Sequence, residues 1–403
     1  MTAALGIGAG GSPAVANAAM NTGDIQINAY TYGDQVNPAI AMAPDGRFVI
    51  AWTNKDPDGD GDDIFAQRYD ISGNAVGPEF QVNTSTAGNQ YDPAVAMAPN
   101  GNFVITWTNN KQHGDWRGIY GQRYDSVGNP IGSEFKVNIH TISLKDRSSA
   151  AVDSHGNFVI TWSSHNQDGD GWEVYARRYD SAGNPAGPEF RVNTQTTGHQ
   201  EGSSIGMDTD GNFVIAWVSR SKDDDGWGIY GRRFDPSGLG DDSEFEVQRY
   251  PGRNTHHHRT SVAMSSRGDF VIVWAKNDQE DEWQTVYGQL YSRYGIAEGP
   301  PFEANTFMVG NQDDPCAVMD AYGNFVITWT NISKDISSRG VYGQRFDSSG
   351  DALGPEFKIN TFSSGYQSNP SAAMDANGNF VIAWSSRDQD GDGYGLFMKE
   401  FPY

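Results

Sequence analysis

Asn102-Phe103-Val104-Ile105-Thr106-Trp107 is one of seven near-copies of a single phrase. The others read RFVIAW, NFVITW, NFVIAW, DFVIVW, NFVITW and NFVIAW, ending at Trp52, Trp162, Trp217, Trp274, Trp329 and Trp384. Along the chain the seven tryptophans lie 55, 55, 55, 57, 55 and 55 residues apart. A fixed period of this size marks a repeat architecture, in which each unit buries its faces against its neighbours.

Working outward from Trp107, the unit resolves into four short strands. Pro93 to Met97 is a brief apolar run, and Ala98-Pro99-Asn100-Gly101 carries the Asn-Gly pair that favours a tight hairpin. In the phrase itself Phe103, Ile105 and Trp107 share one face, with Val104 and Thr106 on the other. Both faces are largely apolar, as in a strand buried on both sides. Ile119 to Tyr124, a polar turn and Glu134 to Asn138 follow, and a Thr/Gly-rich connection leads to the next unit. Seven such units predict an all-β fold, a seven-bladed β-propeller with four antiparallel strands per blade. The last unit stops at Phe401-Pro402-Tyr403, after its third strand, whereas Asp24 to Asn28 carries the fourth-strand phrase. The N-terminal strand is thus expected to complete the last blade, removing two open sheet edges. The propeller spans 24–403. Residues 1–23, rich in Ala and Gly, read as a flexible tail or an export-signal remnant, with Ala16-Asn17-Ala18 as a small-x-small cleavage pattern.

The pattern GNFVIxW…IYGQRYDsxGNPxGxEFxVNTxTxGxQxxP resembles the roughly 55-residue propeller-forming repeats of large exported bacterial proteins, often found beside calcium-binding segments. The resemblance covers 24–403. It implies a scaffold or binding module at the cell surface or secreted, without one shared chemistry.

Composition narrows the partners. The 403 residues include 28 Lys and Arg against 51 Asp and Glu, a formal charge of −23. Such a surface disfavours nucleic acid and anionic membrane, because phosphate neutralisation needs Lys and Arg. No apolar run approaches the ~20 residues of a membrane span. The lone Cys316 leaves no internal disulfide framework and reads as a buried, inert thiol. A monomer is expected.

Six residues after the repeat tryptophan stand Asp58, His113, Asp168, Asp223, Glu280, Asp335 and Asp390, and a second acidic column follows two residues later. In three blades the loop opens D/N-x-D-G-D-G: Asp56, Asp58 and Asp60; Asn166, Asp168 and Asp170; Asp388, Asp390 and Asp392. Alternate carboxylates with glycines at the sharp turn resemble the start of a calcium loop, so calcium is the expected cofactor. The twelfth position, Gln67, Arg177 or Lys399, supplies no bidentate acid, so the shell would need backbone, neighbouring loops or water.

The repetition breaks in one arc. Four further tryptophans, Trp116, Trp172, Trp227 and Trp283, fall late in the acidic loops of blades 2 to 5. Connections on the same rim there carry His140, Lys145, Arg147, His199, Tyr250, Arg253, His256, His257, His258 and Arg259. Indole faces stack on sugar rings, and Lys and Arg hold carboxylates. These residues are therefore expected to line a cleft for a polysaccharide or cell-surface glycan. Adjacent histidines on an extended segment point apart, so at most two of His256, His257 and His258 could share a metal ion. The recurring Arg68, Arg123, Arg178 and Arg345 are expected to pair with Glu79, Glu134, Glu189 and Glu356.

No nucleophile elbow, phosphate loop or HExxH motif is present. The expectation is an extracellular module that binds carbohydrate or a cell-surface partner, with calcium-stabilised loops. The alternative is a polysaccharide lyase on a uronate polymer. There His140, His199, Tyr250 or His256 to His258 would serve as base and acid, and Arg147, Arg253 or Arg259 would neutralise the carboxylate.

Overall fold

A computed structural model describes residues 23–55, 59, 61–110, 117–220, 226–241, 243–250, 259–277, 284–307, 310–332 and 339–402. It holds seven four-stranded antiparallel sheets in a closed ring and, among these residues, no helix. In blade 3 the strands run from the axis outward as Lys145–Val152, Phe158–His165, Trp172–Tyr179 and Phe190–Arg191. The repeat phrase forms the second strand of every blade. In blade 1 that strand, Phe48–Asn54, is buried along its whole length.

Each apolar cluster joins two neighbouring blades. Val49, Ala51, Ile64 and Ala66 of blade 1 pack on Phe103, Ile105 and Trp107 of blade 2. The small residues on one face of a strand thus make room for the large ones of the next blade. All seven repeat tryptophans are buried in such interfaces, as a structural role requires.

Closure follows the expected plan. Ile25–Gln26 pairs antiparallel with the third strand of blade 7, Ile25 opposite Met398 and Gln26 opposite Phe397. Asp24 accepts hydrogen bonds from the backbone N–H groups of Thr361 and Phe362. Ile27, Leu396 and Met398 then pack with Ile40, Phe48 and Trp52 of blade 1, sealing the ring.

The arginine and glutamate columns do not pair with each other. Arg68 donates to the carbonyl of Ser126, Arg178 to that of Pro236 and Arg345 to that of Pro402 (3.2, 2.8 and 3.3 Å), and Arg123 reaches Ala182 and Ser181. Each of Arg68, Arg123 and Arg178 therefore ties its blade to the hairpin of the next. The glutamates instead accept from the connection entering their own blade: Glu79 from Ala29 and Tyr30, Glu134 from Thr84, Glu189 from Ile139 and His140, Glu356 from Thr306. Strand geometry sends neighbouring positions to opposite faces, and backbone donors lay closer than the guanidinium.

Candidate functional site

The seven innermost strands enclose a central cavity of about 350 Å³, within the size range of small-ligand sites. Its rim is set fifteen residues before each repeat tryptophan by Asn37, Asp92, Arg147, Gly202, Arg259, Asp314 and Asn369. Asn37, Asp92, Arg147, Gly202, Asp314 and Asn369 have left-handed backbone, with φ between 50° and 66°. In each of those six blades the pairing register slips here, which turns the residue toward the axis.

Asn and Asp tolerate that conformation, and Gly adopts it freely. Arginine does not, so φ of 51° at Arg147 is a cost borne by the fold. Around the ring the sequence is Asn, Asp, Arg, Gly, Arg, Asp, Asn, a mirror arrangement about Gly202. On the seam side Asn369 donates to Asn37 (2.5 Å) and Asn37 to Asp92 (2.8 Å). Arg259 lies 4.0 Å from Asp314, and the backbone N–H of Arg147 donates to Asp146. At Gly202 no side chain fills the space between the blades that carry the two arginines.

The wall below repeats the symmetry. Pro38-Ala39, Pro93-Ala94, Pro315-Cys316 and Pro370-Ser371 line blades 1, 2, 6 and 7. Blades 3, 4 and 5 present Ser148-Ser149, Ser203-Ser204 and Thr260-Ser261. Their hydroxyls bridge neighbouring strands: Ser148 meets Thr106 at 2.8 Å, Ser203 meets Thr161 at 3.2 Å, and Ser204 meets Thr260 at 3.1 Å. Serine and threonine here were the missed signal. The change from Pro-Ala to Ser-Ser is visible once the units are aligned on their tryptophans.

Of the residues expected at the site, the structure brings Arg147 and Arg259 to one cavity. Lys145 is fully buried within blade 3, its Nζ donating to the carbonyl and hydroxyl of Ser143. Tyr250 is buried between blades, its hydroxyl accepting from the Trp274 indole at 2.8 Å, so it belongs to the packing. Trp227 is also buried, with the Arg220 guanidinium over its ring. Trp172 is half-buried against His165. His140 is fixed through its backbone to Glu189 and Asn138, and His199 pairs with Arg220 across its sheet. Neither histidine lines the cavity. Trp116, Trp283, Arg253, His256, His257 and His258 lie outside the described residues, as do Asp56, Asp58 and Asp60.

The acidic loops of blades 3 and 7 are closed by their own chain. Asn166 N–H donates to Gly171 carbonyl and Asp388 N–H to Gly393 carbonyl (2.6 and 2.7 Å), with Gly169, Gly171, Gly391 and Gly393 all at positive φ. One Asp168 oxygen accepts from the Asp170 N–H and the other from Arg191 at 3.0 Å. Asp390 accepts from Asn28, Asp392 from Gly33 N–H, and Asp388 lies beside Arg387. Among the described residues no group of three or more His, Cys, Asp or Glu is arranged to hold a metal ion. In the blade 7 loop Asp390 Oδ1 is buried without a hydrogen-bond partner.

Neither a protein-family model nor a curated protein matches the sequence, so the repeat resemblance finds no named family. Solved structures do match. A protein of unknown function from Dyadobacter fermentans shares 11% identity over 94% of this chain and 98% of its own, with a TM-score of 0.56. The polysaccharide lyase Uly1 shares 12% over 97% and 94%, also at 0.56. NanB sialidase from Streptococcus pneumoniae shares 9% over 94% of this chain and 70% of its own, at 0.50. At such identities the likeness is one of fold: a seven-bladed β-propeller similar in shape to proteins that act on carbohydrate.

Proposed function

We propose that this propeller is an extracellular carbohydrate-binding module that holds an acidic saccharide at its channel mouth. The saccharide carboxylate lies between Arg147 and Arg259 over Gly202, and its hydroxyls meet the serines and threonine of blades 3 to 5. The supporting observation is the break in the ring, where Arg-Gly-Arg over Ser/Thr replaces Asn or Asp over Pro. Guanidinium groups bind carboxylates through charge-assisted, often bidentate hydrogen bonds. On a chain of charge −23, Arg147 and Arg259 are the positive charges of a rim that also carries Asp92 and Asp314, and they flank Gly202 where an anion would be preferred to a neutral sugar.

The lyase reading would need a base and an acid, for which His256, His257 and His258, next to the rim residue Arg259 in sequence, are the candidates. Calorimetric titration with oligogalacturonates and with neutral oligosaccharides of equal length tests the proposal. The acidic set should bind, weakening as salt rises, and Arg147→Ala or Arg259→Ala should each lower affinity at least tenfold. Equal affinity for both sets would refute it. Ultraviolet absorbance growing from unsaturated chain ends would establish the lyase instead.

A further inference from the structure

The mirror line of the ring has a second end. It passes through Gly202 in blade 4 and leaves the ring three and a half blades away in either direction, at the junction of blades 7 and 1. That junction carries Tyr30 and Tyr32, on the same rim as the channel mouth. Their rings stand edge to face at 6.5 Å, and Tyr32 is 71% exposed, Tyr30 38%.

Backbone bonds hold this segment firmly. Tyr30 N–H donates to Glu79, Tyr30 carbonyl accepts from Asn28, the Tyr32 and Gly33 carbonyls accept from Gln35, and Gly33 N–H donates to Asp392. Two large aromatic rings are thus presented to solvent on a fixed support. The corresponding positions of other connections hold Ser85 and Ala87 or Gln195 and Thr197, so the fold itself does not need aromatic rings there. Phe307 and Phe362 continue the aromatic side at the two preceding junctions, Phe307 being 52% exposed.

We infer that Tyr30 and Tyr32 form a stacking subsite for pyranose rings, and that the ligand is a chain lying along the mirror line, from the arginines across the channel mouth to this pair. The inference rests on the proposed acidic-saccharide site. Aromatic faces take up the C–H side of a sugar ring and ask nothing of its charge, which suits the part of a chain distant from the guanidinium groups.

Oligogalacturonates of two to ten residues, titrated into the full chain, provide the test. Affinity should climb with length until the chain reaches the tyrosines. Tyr30→Ala combined with Tyr32→Ala should cost about tenfold for the longest oligomer and nothing for the dimer, and Tyr32→Trp should restore long-chain affinity. Arg259→Ala should weaken every length. The inference falls if affinity is independent of length, or if the double tyrosine variant binds the long oligomer like the parent while Arg259→Ala still weakens it. Absence of binding at every length would bring down the channel-mouth proposal together with it. The thermal midpoint of each variant, expected to stay with the parent because Tyr32 is so exposed, separates lost binding from lost folding.

Discussion

At the scale of single residues, Arg147 shows a conflict between local conformation and use. Five of its six counterparts are Asn, Asp or Gly at left-handed φ, whereas Arg147 pairs a long side chain with that backbone. Arg147→Asn restores what the repeat prefers. It should raise unfolding stability by about 0.5–1 kcal/mol, seen as a higher denaturant midpoint, while lowering affinity for acidic oligosaccharides at least tenfold. A loss of both would mean that Arg147 is structural. Arg147 and Arg259 were visible in the sequence as scarce positive charges within a deviant arc. Tyr250 and Lys145 stood in the same arc and proved to be interior. One dimension records where the repeat changes but not which face of the strand carries the change, and Tyr250 fills the blade interface by bonding Trp274.

Among the loops and strands, the D/N-x-D-G-D-G turns make the same point. Their glycines at positive φ and their end-to-end backbone bonds make the motif a compact six-residue turn. Sequence spacing alone resembles a calcium loop because both solutions need glycine at a sharp bend and short polar side chains around it. In blade 3 the turn wraps Glu173, which lies in register with Ser164 and Lys145 across three strands. Gln167 and Asp168 N–H groups donate to its carboxyl group (3.3 and 3.1 Å). Burial first, and then the Asp168 carboxyl beside it, push Glu173 up to about 8. Its folded-state value therefore exceeds that of the unfolded chain. The stabilising contribution is complete below the ordinary Glu range near 4.5 and is lost as pH rises through 8. Glu173→Gln keeps an acceptor for both N–H groups and a donor for Asp168. Thermal midpoints of parent and variant should coincide near pH 4.5, separate progressively as pH rises toward 8 with the variant higher, and stay apart above it. Parallel curves across that window would rule the effect out.

For the whole molecule, the period of the tryptophans was sufficient for blade number, strand order and closure, since each of these follows from burying both faces of every sheet. The ligand face was only partly legible, because connections vary without disturbing the core and their variation is silent about direction. Ring closure depends on a short element, and Asp24 is its polar anchor. Asp24→Ala leaves the N–H groups of Thr361 and Phe362 without their carboxylate. It should cost about 1–3 kcal/mol, read as a lower midpoint in urea with an unchanged slope. A shallower or two-step transition would instead show blade 7 unfolding apart from the rest.

The strand at Ile25–Gln26 also makes the seam an ordinary interface. Pro402 and Gly23 occupy the place where the other blades have a turn between third and outer strands, and Arg345 grips Pro402 much as Arg178 grips Pro236. In topological terms the protein is a necklace whose clasp is one more bead. A turn of the kind found in the other six blades, joining Pro402 directly to Gly23, would make the propeller segment an endless chain, and that chain could be cut at any other hairpin with every blade interface intact.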